Sequence, residues 1–369
     1  MTESNPLAKI VLSVFLIAIV SVTSGCLGSS PKQSGIFVTT NNGTAWTATP
    51  DLSNKKTKAP KVYPPVEATA VAVSPQDGKF VVAGTSDKLY RTADGGAKWE
   101  ELTKKLPITK KHITVQTIRF DPSQSDTYYV AGVSGGYGKI FKTTDKGANF
   151  QDIFTVTKPG QTVSSLLIQN GAPSTIIATD QLGSVYRSTD AGASWRRTFS
   201  VEPEITAITQ TGQAIYLGTN GGGIWKSVDN GVTFAPVNNG LSASGQNVWA
   251  LASGLGALYA GSDQGLLASR DEGASWQAIG NPLPPGNTRV QAIAVNNQYV
   301  FFAANAVVYQ LAANGQFVPV QLKLAKSVYG LSIAPNASGT IYAAANNRAS
   351  DYSERYGIGL QSLQLKPNR

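Results

Sequence analysis

Acidic side chains recur along this chain at a spacing that invites a chemical reading. Asp94, Asp145, Asp190, Asp229 and Asp271 follow one another at intervals of about 40–50 residues, and Asn41 and Ala313 occupy the same slot at either end of the series. A second set, Asp87, Asp180 and Asp263, recurs in a different register. Two facing carboxylates would serve as the acid and base of a glycosidase. Carboxylates that repeat with the same neighbours are instead expected to serve turns. Other chemistries are limited by count. Cys26 and His112 are the sole cysteine and histidine. No internal disulfide, Cys/His zinc site or Cys–His nucleophile can be built from them, and no cofactor or metal site is expected.

The neighbours of the first set decide its reading. The strings run RTADGGAKW (91–99), KTTDKGANF (142–150), RSTDAGASW (187–195), KSVDNGVTF (226–234) and ASRDEGASW (268–276), flanked by the weaker VTTNNGTAW (38–46) and QLAANGQFV (310–318). The slot two after the acid is Gly in all seven copies, at 43, 96, 147, 192, 231, 273 and 315. A turn between antiparallel strands needs positive φ there. Asn41, Asp94, Asp145, Asp190, Asp229 and Asp271 are therefore assigned to turn structure, accepting bonds from N–H groups of the turn.

Elements that hold such turns can be read from the intervening sequence. Each repeat carries two short runs before its turn, such as ATAVAVSP (68–75) and KFVVAGTS (79–86), giving seven first strands and seven second strands. The pattern S/T-x-D-x-G-x-x-W/F resembles the Asp-box, or BNR, repeat, and the likeness covers nearly the whole chain after its N-terminus. It implies an all-β fold, a seven-bladed β-propeller of four-stranded antiparallel blades with Asp-box turns. The opening strands (36–49) and the last pair (328–346) are expected to close the ring in one blade, over a domain of residues 36–369. A further strand-like run, 357–365, is left over.

Residues 1–25 read as a signal peptide, with an apolar stretch from Ile10 to Val22 too short to span a bilayer comfortably. Small residues before Cys26 resemble a bacterial lipobox. That likeness implies a lipid on Cys26, a flexible tether over 26–35, and an exported, membrane-anchored protein facing the extracytoplasmic side.

Within the first strands, small residues at 70, 117, 165, 207, 250, 292 and 330 suit strands converging on one axis. The residues just before them, Thr69, Gln116, Ser164, Thr206, Trp249, Gln291 and Tyr329, are expected at the mouth of a central channel, where aromatics and amides could hold a ligand. The formal net charge is +9. Lysines cluster in two interblade loops, Lys55, Lys56, Lys58 and Lys61 in one, Lys104, Lys105, Lys110 and Lys111 in the next. They form a candidate basic patch for an acidic protein, an anionic glycan or headgroups, and without interleaved stacking residues they do not suggest nucleic acid. The loop 346–356 is a further contact candidate.

Asp-box repeats are shared by sialidases, xyloglucan-cleaving glycosidases, sortilin-type receptors and non-catalytic propellers. LYRTADGGAKWEEL (89–102) resembles the repeats of photosystem II assembly and stability factors. No arginine triad of sialidase type falls in the inner register. The expected function is thus a lipid-anchored, non-catalytic propeller binding a protein or glycan partner, as an assembly or stability factor for an envelope or membrane complex. The alternative is an exo-acting glycoside hydrolase.

Overall fold

The computed structural model describes residues 35–49, 67–284, 288–320, 327–335 and 339–346. Runs of Val, Ile, Tyr and Phe bounded by Gly, Asn and Asp form strands because branched and aromatic side chains fit a pleated, half-buried surface. Among the described residues 28 strands make seven four-stranded antiparallel sheets. The inner strands of blades 1 to 7 are Ala68–Val73, Thr114–Phe120, Val163–Ile168, Ile205–Thr211, Val248–Gly254, Val290–Val295 and Val328–Ile333. In blades 1 to 6 the strand order follows the sequence. Blade 7 takes its outer strands from the N-terminal side: Gly35–Thr39 pairs with Ile341–Ala345, Phe37 opposite Ala343. The ring closes as expected. The leader, Cys26, the tether up to 34, Lys55, Lys56, Lys58, Lys61, most of the loop 346–356 and the run 357–365 lie outside the described residues.

Between blades the core is apolar. Val82 and Leu89 of blade 1 pack with Val115, Ile118, Tyr128, Val130 and Phe141 of blade 2. Second strands such as Val81–Thr85 are buried at every residue. Burying each such aliphatic or aromatic side chain contributes about 1.5–3 kcal/mol, so each blade is stable only with neighbours on both faces.

The seven repeated glycines all take positive φ, from 79° to 100°. At Gly192, φ is +95° and a Cβ would stand 2.5 Å from the Ile153 side chain. Two side chains hold this turn. The Ser188 hydroxyl, 1% exposed, accepts the buried Gly192 N–H at 2.8 Å. The Asp190 carboxylate accepts the Ser188 O–H and the Ser194 N–H, each at 2.8 Å, on the exposed side. The same pairs recur at Thr92 with Asp94, Thr143 with Asp145, Ser227 with Asp229 and Ser269 with Asp271. Asn41 substitutes its amide oxygen, accepting from Thr39 and from the Ala45 N–H. At Ala313 the turn is held by backbone bonds, Gly315 N–H to the Ala312 carbonyl among them.

Third-strand cations join neighbouring blades. Lys142 donates to the Ala191 carbonyl at 3.1 Å and Lys226 to the Glu272 carbonyl at 3.0 Å, and Arg91 reaches the Lys146 carbonyl. All three acceptors are left-handed residues of the next blade's turn, with φ of 56–58°. The left-handed twist turns the carbonyl outward, where a long cationic stem can meet it.

Candidate functional site

The seven inner strands enclose a channel of about 150 Å³. Each inner strand carries one register shift against its second strand, between Ala68 and Ala70, Val115 and Thr117, Val163 and Ser165, Ile205 and Ala207, Val248 and Ala250, Val290 and Ala292, and Val328 and Gly330. The bulged residues are therefore Thr69, Gln116, Ser164, Thr206, Trp249, Gln291 and Tyr329. A bulge removes a residue from the ladder and re-aims its side chain. All seven line the channel. The small residues that follow them line it too, and at Gly330 even a Cβ would come within 3.4 Å of Val71 N.

The bulged side chains differ in what they hold. Thr69 donates to the Val115 carbonyl at 2.7 Å and Gln291 to the Val328 carbonyl at 3.0 Å, and Thr206 reaches the Val248 carbonyl. Each acceptor is the residue just before the bulge of the next blade, so these three side chains lock one blade to another. Ser164 bonds Thr179 at 2.9 Å within its own blade. The Trp249 indole N–H donates to Asp263 at 2.8 Å, and Trp249 is only 7% exposed. Gln116 lines the channel with its amide making no hydrogen bond to the described residues.

Asp87, Asp180 and Asp263, expected in one register, share neither register nor chemistry: Asp180 pairs with Val163 where Thr85 and Ser262 stand in blades 1 and 5, and Asp263 lies one residue and Asp87 two residues beyond that place. Asp180 is fully buried and serves its own turn: one oxygen accepts the Leu182 and Ser184 N–H groups at 2.9 and 2.8 Å, the other the Tyr186 O–H at 2.9 Å and the Gln161 amide. Burial, with the Asp180 charge beside it, raises the Tyr186 hydroxyl. Asp87 meets His112 Nδ1 at 2.5 Å on the surface. Asp263 gathers three partners, Asn247 at 2.9 Å, Trp249, and Arg289 at 2.7 Å. That cluster was not legible in the sequence, because Arg289 precedes its strand and meets Trp249 only across two blades.

Of the described lysines, Lys105 pairs with Glu100 at 2.7 Å, and this bond, aided by Arg91, lowers the Glu100 carboxyl. Lys104, Lys110 and Lys111 are exposed and hold no ion pair with described residues. They sit in the connection that leads into the inner strand of blade 2, on the face where the bulges open. Arg119 lies inside the channel wall and is the one charged side chain among the described lining residues.

No curated protein matches this chain. Among solved structures, a GH74 xyloglucanase from Xanthomonas campestris superposes with a TM-score of 0.61 at 17% identity, over 76% of this chain and 51% of its own. The chain thus spans about half the length of that enzyme. YCF48 bound to a D1 peptide gives 0.55 at 15% identity, over 78% of this chain and 94% of its own. YCF48 from Cyanidioschyzon merolae gives 0.56 at 13% identity, over 77% and 97%. At such identities the likeness speaks for the fold. The sequence itself matches the family model described as photosynthesis system II assembly factor YCF48 over residues 54–254, more than half its length, and the chain belongs to that family.

Proposed function

We propose that this chain is a non-catalytic binding propeller, tethered on the extracytoplasmic side by a lipid on Cys26, that holds a polypeptide partner while an envelope or membrane complex is assembled or stabilised. Family membership carries this reading. A relative of the same fold has been seen with a D1 peptide. The described channel lining supports it as well. Amides, hydroxyls and aromatics surround the mouth, and no Asp or Glu is among them. Glycoside cleavage of the usual kind needs one carboxyl to protonate the leaving oxygen and a second across the bond. An anionic glycan is the other occupant compatible with the lysine loops.

The contact face we assign to the partner is the one bearing Lys104, Lys110 and Lys111, and the second lysine cluster of the sequence, Lys55, Lys56, Lys58 and Lys61, is proposed to contribute to the same contact. Capture from solubilised envelope, with Lys56, Lys58, Lys104 and Lys110 changed to Glu, tests it. Capture should fall in the variant and fall likewise for the natural chain as salt rises, since exposed charges are screened beyond about 8–10 Å. Undiminished capture would move the contact elsewhere. Turnover of xyloglucan or a sialoside by the natural chain would replace this reading with the hydrolase.

A further inference from the structure

We propose that Arg119 and Gln116 form a binding site for one small oxyanion, of the phosphate or carboxylate class, inside the central channel. The site is separate from the lysine face and does not depend on which partner that face holds.

Arg119 and Gln116 lie three residues apart on the inner strand of blade 2, and both line the channel. At the position three after the bulge, the other blades carry Ala72, Leu167, Thr209, Ala252, Ala294 and Ser332. Arg119 is the one charged residue at that position of the inner strands. A guanidinium has five N–H donors and stays charged in proteins. Here Nε donates to the Leu166 carbonyl and Nη1 to the Ile118 carbonyl, each at 3.2 Å. The remaining donors have no acceptor among the described residues, and no carboxylate offsets the charge there.

Arg119 is exposed to the channel, and partial desolvation by the surrounding strands lowers its pKa. In a narrow channel without a counter-charge, a mobile anion is attracted to this guanidinium more strongly than in open water. The Gln116 amide, three residues earlier on the same strand, offers further N–H donors to the channel. The volume suits a small ligand: about 150 Å³ is below the roughly 300–1,000 Å³ of pockets that take drug-sized molecules. Oxyanions with two acceptor oxygens match the guanidinium fork.

The test is calorimetric titration of the full chain with inorganic phosphate and, in a separate arm, acetate, at constant ionic strength. The natural chain should take up one anion per chain. Phosphate saturating alone marks a tetrahedral oxyanion, and saturation by acetate as well marks the wider class. Arg119→Leu copies the residue that blade 3 carries at this position and should fold. It should bind at least about tenfold more weakly, and its melting temperature should no longer rise with phosphate. Gln116→Leu should weaken binding by a few-fold and Arg119→Lys should keep a weaker, saturable site. Absence of saturable binding of both anions to the natural chain would overturn the proposal. So would unchanged affinity in Arg119→Leu, which would assign the anion to surface lysines.

Discussion

The Arg289 guanidinium lies over the Trp249 ring, its central carbon 4.4 Å from the ring centroid. Both side chains donate to Asp263, the indole at 2.8 Å and the guanidinium at 2.7 Å. The aromatic at the channel mouth is thus covered on one face and tied at its edge. A carboxylate, a cation and a π-face support one another across the blade 5–6 boundary.

Removing the shared acceptor should expose this coupling. Asp263→Ala removes the acceptor that the nearly buried indole N–H shares with Arg289. A loss of about 1–3 kcal/mol is expected for the unsatisfied buried donor, read from urea unfolding. An unchanged midpoint would mean that Trp249 finds another acceptor.

The two side chains of the repeated turn should differ in weight. Ser188→Ala strands the buried Gly192 N–H and should cost about 1–3 kcal/mol. Asp190→Ala should cost less, because the N–H groups it accepts are exposed and water can replace it. Equal losses in the two variants would show that the carboxylate, not the hydroxyl, organises the turn.

Acid should weaken the ring in a defined window. Asp145, Asp190, Asp229 and Asp271 are each lowered from 3.8 to about 2. The leading causes are the Asn149 N–H at Asp145, the Ser194 hydroxyl at Asp190 and the Ser275 hydroxyl at Asp271. At Asp229 desolvation opposes the shift, and bonds from Thr233 and Ser227 outweigh it. A carboxyl depressed in the folded state stabilises above its unfolded pKa and loses that contribution as pH falls through the folded value. Stability should therefore decline between about pH 4 and 2. Denaturation midpoints across that range should fall less steeply in Asp190→Asn, and a parallel decline would sink the assignment.

The proposed anchoring rests on one atom, the Cys26 sulfur. Cys26→Ser should release the protein from the membrane fraction or stop its maturation. A mature N-terminus found by mass spectrometry at another residue, without lipid, would reject the anchor.

The repeated turns and their spacing were enough to specify seven blades and their closure, because those features are local. A glycine that needs positive φ, an oxygen two residues before it and an aromatic three residues after it report on nine consecutive residues whatever surrounds them. Alternation likewise located Thr69, Gln116, Ser164, Thr206, Trp249, Gln291 and Tyr329, since a residue beside a constant small one in every inner strand has to sit at a constant place in the ring. What those side chains hold was decided only by the neighbouring blade. Thr69, Thr206 and Gln291 donate to carbonyls 37–46 residues away, Arg289 crosses to Trp249, and Lys142 meets a carbonyl 49 residues on. Arg119 shows the limit most plainly. Its sequence gives an arginine on a strand, and only the closing of seven strands around it leaves that charge in a narrow channel without an acid.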